Sequence, residues 1–171
     1  MKKWIAFVLA VVVLAGIHES THALFAVIYN DYETLHIRPL GAEVTYKTPV
    51  NERSGFQWAL ISGASNLVTV LMGYLLFILG KRFVRSHNMF VKTAIYYLTI
   101  LSLLFDPFNL SIGPFIYGGD INGIVIGLGI NRYVIQVVFF LILLVNREII
   151  ARKLLPMYGV QTRHPLFRPL L

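Results

Sequence analysis

Long apolar segments alternate with short polar segments along the whole chain. Four of the apolar segments are predicted to form helices, at about 4–29, 58–80, 89–105 and 131–155. At 1.5 Å per residue such segments cross a hydrocarbon core about 30 Å thick, although the third is short for a span. The pattern predicts an all-α integral membrane protein with about four transmembrane helices.

These helices are expected to form a single membrane-embedded domain over residues 1–155, followed by a basic C-terminal tail over residues 156–171. The chain starts with Met1-Lys2-Lys3 and an apolar run, which is also how a cleaved signal peptide starts. Because the apolar run continues to Tyr29, we interpret it as an uncleaved first helix.

The connection between the first two predicted helices has a different pattern. Residues 35–38 and 43–47 alternate between apolar and polar, and Gly41 and Pro49 punctuate them. Alternation bounded by Gly and Pro predicts a small β-hairpin. An unpaired strand edge there can accept an extended peptide as an additional strand. A plain connecting loop is the alternative interpretation.

The third predicted helix ends at Phe105, because the following Asp106-Pro107 pair disfavours the helical conformation. The next segment, residues 108–120, is apolar but rich in Gly and Pro. Irregular backbone at membrane depth is tolerated only where protein or a cavity covers it. We therefore predict a re-entrant-like loop before the fourth helix, forming one wall of a functional site.

A short helix from Ile121, broken at Gly127 and Gly129, is predicted to follow this loop. Asn131 is then placed to cap the fourth helix. The alternative is one continuous helix through this region. We disfavour it because it leaves Arg132 in the middle of the membrane without a partner.

Composition supports the membrane class and narrows the chemistry. Hydrophobic residues make up 57% of the chain and charged residues 13%, which is too apolar for a soluble domain of 171 residues. The chain has no cysteine, so disulfides, thiol nucleophiles, iron–sulfur clusters and thiolate zinc sites are excluded. His and carboxylate side chains remain as the strong metal ligands.

The net charge of +7 does not indicate nucleic-acid binding, because the basic residues lie beside the apolar segments. Four spans put both termini on one side, and the positive-inside rule makes that side cytoplasmic. Eleven of the fifteen basic residues fall there: Lys2, Lys3, Lys81, Arg82, Arg85, Lys92, Arg147, Arg152, Lys153, Arg163 and Arg168.

The first apolar segment contains the HExxH motif His18-Glu19-Ser20-Thr21-His22. On a helix, side chains four residues apart lie on one face about 6 Å apart, so both imidazoles can bind one zinc ion beside the Glu19 carboxylate. Ionisable groups inside a membrane segment indicate function. The alternatives are polar side chains that reach from a helix end toward water, and a helix that faces a wet cavity without chemistry.

A zinc site with two histidines needs a third protein ligand and an open position. Asp120 is our first choice, since the two preceding glycines allow its backbone to approach closely, and Asp106 is the second. An N-cap of the following helix is the alternative interpretation of Asp120. His87, His164 and Glu148 are excluded, because they fall near the opposite side of the membrane.

Asn66 follows a run of small residues in the second predicted helix. Small residues allow close helix packing, and an amide at lipid depth usually forms a hydrogen bond across helices. Packing and a role in the site therefore both remain open for Asn66.

The order of these motifs resembles the site-2 protease family of intramembrane zinc metalloproteases. The resemblance covers about 15–124, with the HExxH helix, then a β-loop, then Gly63-Ala64-Ser65-Asn66, then Asn109-Leu110, Pro114 and Asp120. It implies that His18 and His22 bind zinc. In two respects the chain departs from the family. The family's usual Asp-Gly is Asp120-Ile121 here, and the gap between Asn109 and this aspartate is longer. The charge pattern also places the metal nearer the face opposite the cytoplasm, whereas in the family it commonly lies nearer the cytoplasm.

The resemblance further implies that Glu19 is the general base and that Asp120 is the third ligand. Asn66 or Asn109 is expected to steady the oxyanion or the substrate backbone. The predicted protein is an intramembrane zinc metalloendopeptidase with one Zn²⁺ per chain, acting on a membrane-protein substrate. The alternatives are a zinc-binding membrane protein for transport or sensing, and a membrane hydrolase acting on lipid or small amides.

Overall fold

The computed structural model describes residues 1–38, 41–162 and 164–169. Arg163, counted above among the basic residues, and residues 170–171 of the predicted tail lie outside this part of the chain, as do residues 39–40 between the predicted strands. Within the described residues, four helices are long and apolar enough to cross a membrane: Lys2–Ile28, Gln57–Ile78, Met89–Ser111 and Arg132–Met157. The number of apolar helices is therefore as predicted.

Seven α-helices and two strands make up the described fold. The elements are α1 (Lys2–Ile28), β1 (Tyr32–Arg38), β2 (Gly41–Tyr46), α2 (Gln57–Ile78), α3 (Gly80–Val84), α4 (Met89–Ser111), α5 (Ile121–Leu128), α6 (Arg132–Ile149) and, after a π-helical turn over Ile150–Leu154, α7 (Leu155–Met157). Helix α4 lies centrally and packs against α1, α2 and α6. Many apolar side chains on the outer faces of the long helices are exposed, as is typical of lipid-facing helices.

Strands β1 and β2 form the predicted hairpin. They pair antiparallel, with Leu35 opposite Val44 and His36 opposite Glu43. Asp31 closes the base of the hairpin, because its Oδ1 accepts hydrogen bonds from the Thr48 backbone N–H (3.0 Å) and hydroxyl (2.6 Å). The hairpin lies directly after the HExxH end of α1, and β2 packs on that helix.

The predicted end of the third helix at Phe105 is wrong, because α4 continues through Asp106-Pro107 to Ser111. A proline removes the N–H that would bond the carbonyl four residues earlier. That carbonyl belongs to Leu103, and it accepts a 2.7 Å hydrogen bond from the Asn146 side chain of α6 instead. A neighbouring helix thus satisfies the backbone group that Pro107 leaves open.

The short helix α5 and the separate helix α6 are confirmed, but the predicted break at Gly127 is wrong. Helix α5 runs through Gly127 and ends before Gly129, whose φ of +64° is left-handed. Asn131 caps α6 by accepting a 2.8 Å hydrogen bond from the Tyr133 N–H. Gly127 lies against α2, where an added Cβ would collide with the backbone of Ala59. Close packing of α5 on α2 therefore requires this glycine.

Candidate metal centre

Three side chains predicted as metal ligands meet at one point. His18 Nε2 lies 3.1 Å from His22 Nε2 and 3.3 Å from Asp120 Oδ2, and His22 Nε2 lies 3.3 Å from Asp120 Oδ1. Tetrahedral zinc with bonds of about 2.0 to 2.1 Å places its ligand atoms about 3.3 Å apart. The three side chains therefore form a group that could hold a metal ion, with one ligand atom from each lying within 4.8 Å of the others.

Both histidines are held through their other ring nitrogen. His22 Nδ1 donates a 2.6 Å hydrogen bond to the Ile61 carbonyl of α2. His18 Nδ1 lies 3.2 Å from Asp106 Oδ1 of α4. Such partners fix the tautomer and orientation of a metal-binding imidazole and leave Nε2 for the metal. Both Nε2 atoms accordingly point to the same place.

Asp106 lies behind His18 rather than beside the other two ligand atoms. It is fully buried, and the Thr69 hydroxyl of α2 donates a hydrogen bond to its second carboxylate oxygen. The group that could hold a metal contains Asp120 and does not contain Asp106. The geometry therefore favours Asp120 over Asp106 as the candidate third ligand, and Asp106 contacts His18 from behind.

Two amides hold the Asp120 carboxylate. Asn66 Nδ2 donates to Asp120 Oδ2 at 2.9 Å, and Asn109 Nδ2 donates to the same oxygen at 3.3 Å. Tyr117 in turn donates a 2.9 Å hydrogen bond to Asn109 Oδ1. The oxyanion role of the two asparagines stays a prediction, while their described contacts orient the Asp120 carboxylate.

Asp120 stands at the start of α5 but its side chain makes no capping hydrogen bond. Gly119 before it has φ of +86°, a conformation that side chains rarely adopt, and this turn directs Asp120 toward the histidines. Burial would raise the pKa of Asp120, but His18 and His22 outweigh burial and hold the pKa below its ordinary value. The two histidines thus favour the charged form of this carboxyl.

A cleft of about 480 Å³ opens beside this group. It is lined by Glu19 and His22 of α1, residues 42–46 of β2, Ser62 of α2, and Asp120. The other lining residues are Thr48, Pro49, Val50, Arg53, Gly119, Asn122 and Gly123. The half-buried Glu19 carboxylate faces the backbone of Val44. The predicted base Glu19, the candidate ligands His22 and Asp120, and strand β2 thus line one cavity.

The sequence interpretation missed three contributors to this site. Ser65 Oγ lies 2.9 Å from His22 Nε2, and the Ile61 carbonyl and Thr69 hydroxyl hold His22 and Asp106. The run of small residues before Asn66 contains Ser65, but such a run indicates close helix packing and not a contact with His22. A carbonyl partner leaves no sequence signal at all, since every residue has one.

No protein-family model, curated protein or solved structure matches this chain. The likeness to the site-2 proteases accordingly rests on the motifs and their order.

Proposed function

We propose that this protein is a membrane-embedded zinc metalloendopeptidase that cleaves a peptide bond in or near a transmembrane segment. The observation that carries the proposal is the meeting of His18, His22 and Asp120, whose ligand atoms lie within 4.8 Å of one another, with Glu19 in the adjoining cleft. Two histidines and a carboxylate are the ligands of many zinc peptidases and leave a position open for reaction.

His18, His22 and Asp120 would hold the ion, which when bound acidifies water and polarises a carbonyl. Glu19 accepts a proton from the attacking water and delivers it to the nitrogen of the leaving amine. The carbonyl carbon gains an oxygen and loses its bond to nitrogen. Asp106, Asn66 and Asn109 keep the ligand side chains in position during this exchange.

The hairpin offers a way to hold the substrate backbone. In the described two-stranded sheet, β2 pairs with β1 along one edge, and residues 42–46 of β2 line the cleft beside Glu19. An unwound segment that adds to β2 as a further strand would satisfy its own backbone hydrogen bonds and lie next to Glu19. This arrangement suits an extended polypeptide better than a lipid chain, which has no backbone to pair.

The proposed setting is a multi-pass protein in a lipid bilayer with both termini in the cytoplasm. His22 lies six residues, about 9 Å, from the end of α1 at Ile28. Basic residues cluster at the other ends of the helices, including Lys81, Arg82 and Arg152. In this setting water reaches the site from the nearer face, and the proposal includes no nucleic-acid partner.

The test is zinc content and cleavage by purified protein in detergent. Wild type is expected to hold about one zinc ion per chain and to cleave peptides of a transmembrane panel. Glu19→Gln should retain zinc and lose cleavage by at least a hundredfold, because it removes only the base. His22→Ala should lose the zinc.

Exposed residues on β1 provide matched controls. Glu33→Gln and His36→Ala repeat the same chemical changes outside the cleft and should leave zinc and cleavage intact. A wild type without zinc would overturn the proposal. Zinc retained without cleavage of any peptide would favour transport or sensing, and cleavage restricted to a lipid panel would favour a lipid hydrolase.

A further inference from the structure

Arg53 lines the cleft but has no part in the proposed chemistry. It lies between β2 and α2 and shares the cavity with Glu19, His22 and Asp120. Among the described residues that line the cleft, it is the one Lys or Arg side chain. A single fixed positive charge in a cleft that also holds carboxylates is a candidate for substrate selection.

The guanidinium of Arg53 is held in place by aromatic side chains. Its central carbon lies 4.3 Å from the ring centroid of Trp58 and 5.0 Å from that of Tyr46, and the two rings pack edge to face. Trp58 is buried, so it forms a rigid support. Arg53 Nε also donates a 3.3 Å hydrogen bond to the Thr48 carbonyl. The side chain is therefore oriented before any ligand arrives.

These contacts leave the two terminal amino groups of Arg53 without a protein acceptor. Neither forms a hydrogen bond or an ion pair with the residues that the structure describes. Burial lowers the pKa of Arg53, because the surrounding protein replaces part of its hydration. Asp31 offsets part of this loss by its charge, and an incoming anion would supply the missing acceptors for the two amino groups.

We propose that Arg53 binds a carboxylate of the substrate polypeptide and so selects substrates with an acidic group close to the scissile bond. The planar guanidinium fork matches a carboxylate through two parallel hydrogen bonds. A carboxylate is favoured over a lipid phosphate because Arg53 faces a cavity bordered by β2, which suits an extended chain. This inference rests on the proposed function, because the bound carboxylate belongs to the polypeptide that the protein is proposed to cleave.

The test uses peptides that differ by one charge. All peptides share one neutral transmembrane segment and an amidated C-terminus. They come in pairs that carry either Glu or Gln at a single flanking position, and each pair tests a different position. For the best position, wild type should cleave the Glu peptide with a kcat/KM about tenfold above its Gln twin, or about 1.4 kcal/mol. In Arg53→Gln this ratio should fall below about twofold.

Lys47→Gln is the matched control, since it also removes one positive charge near the end of β2. Its ammonium group bonds to Asn30 rather than lining the cleft, so the Glu preference should persist. Arg53→Glu should instead prefer a Lys peptide, a gain that a misfolded variant cannot show. An equal Glu preference in wild type and Arg53→Gln, or no preference at any position, would overturn the inference.

The same peptides separate this inference from the proposed function. Their binding is measured by fluorescence anisotropy in the Glu19→Gln background. A binding preference for Glu that depends on Arg53, without cleavage by wild type, would support the carboxylate site and refute the peptidase. Cleavage by wild type without any charge preference would refute the carboxylate site alone.

Two further arms identify the source of the anion. If the α-carboxylate of a chain end is bound, a Gln peptide with a free C-terminus should be preferred over its amide, again only with Arg53 present. If lipid phosphate is bound, phosphatidylglycerol should bind wild type but not Arg53→Gln, and no Glu preference should appear in neutral detergent. That last result would overturn the inference.

Discussion

The Asn146 side chain donates a 2.7 Å hydrogen bond to the Leu103 carbonyl, which Pro107 leaves without its helical donor. The amide oxygen of Asn146 accepts a hydrogen bond from the Tyr74 hydroxyl, so the contact joins α6, α4 and α2. All of this lies inside the bundle, where Asn146 is fully buried. One polar side chain thus supports the continuation of α4 past a proline, which brings Asp106 and Asn109 to the candidate metal centre.

Asn146→Leu is expected to lower the free energy of unfolding by about 1 to 3 kcal/mol, because the Leu103 carbonyl becomes a buried acceptor without a donor. The loss should be smaller in a Pro107→Ala background, where the Ala backbone N–H can take over the bond. Unfolding in detergent micelles of the two single variants and the double variant measures the difference. Equal losses in both backgrounds would show that Asn146 stabilises the protein by another route.

The second prediction separates the two aspartates. Asp120→Asn removes a ligand and should abolish stoichiometric zinc binding. Asp106→Asn keeps the ligand set and replaces the charged partner of His18 Nδ1 by a neutral amide, so zinc affinity should fall about 10- to 100-fold. Competition with a chelator of known affinity measures both. The reverse order of losses would identify Asp106 as the third ligand.

The third prediction concerns the close approach of α5 to α2. Gly127→Ala places a methyl group against the Ala59 backbone, so α5 must shift and carry Asp120 away from the histidines. Zinc affinity is expected to fall at least tenfold without any change in a ligand. Gly16→Ala is the control, because a Cβ at Gly16 on α1 meets nothing within 4 Å. Unchanged affinity in Gly127→Ala would mean that α5 tolerates displacement.

The fourth prediction is that zinc removal destabilises the protein. A ligand that binds only the folded state stabilises it by about 2.7 kcal/mol when its free concentration is 100 times Kd. Dialysis against a chelator should therefore lower the unfolding midpoint of wild type, and added zinc should restore it. The midpoint of Asp120→Ala should respond to neither treatment. A chelator effect of equal size in that variant would place the stabilising metal elsewhere.

The number of apolar helices and the hairpin could be predicted because each depends on local pattern. A segment that crosses lipid must be long and apolar, and strand alternation is visible over a few residues. The extent of α4 could not be predicted in this way. Its continuation depends on Asn146, which lies far along the chain from Pro107 and meets Leu103 only after the helices pack.

In the candidate site, too, the features that depend on local sequence could be predicted and those that depend on packing could not. His18 and His22 are four residues apart on one helix, so their shared face follows from helix geometry. The third ligand had to be chosen among the aspartates of the chain. The predicted topology reduced the choice to Asp120 and Asp106 but did not decide between them. The partners of the histidines, the Ile61 carbonyl and Asp106, come from other helices. Only the packed arrangement reveals which side chain orients which ligand.

The candidate ligands are synthesised far apart in time, because they lie far apart along the chain. His18 and His22 are made in the first helix, whereas Asp120 stands at the start of α5, after three long helices are complete. A nascent chain that has inserted only those helices has two imidazoles and no third ligand. The candidate metal centre is therefore complete only after α5 has joined the bundle.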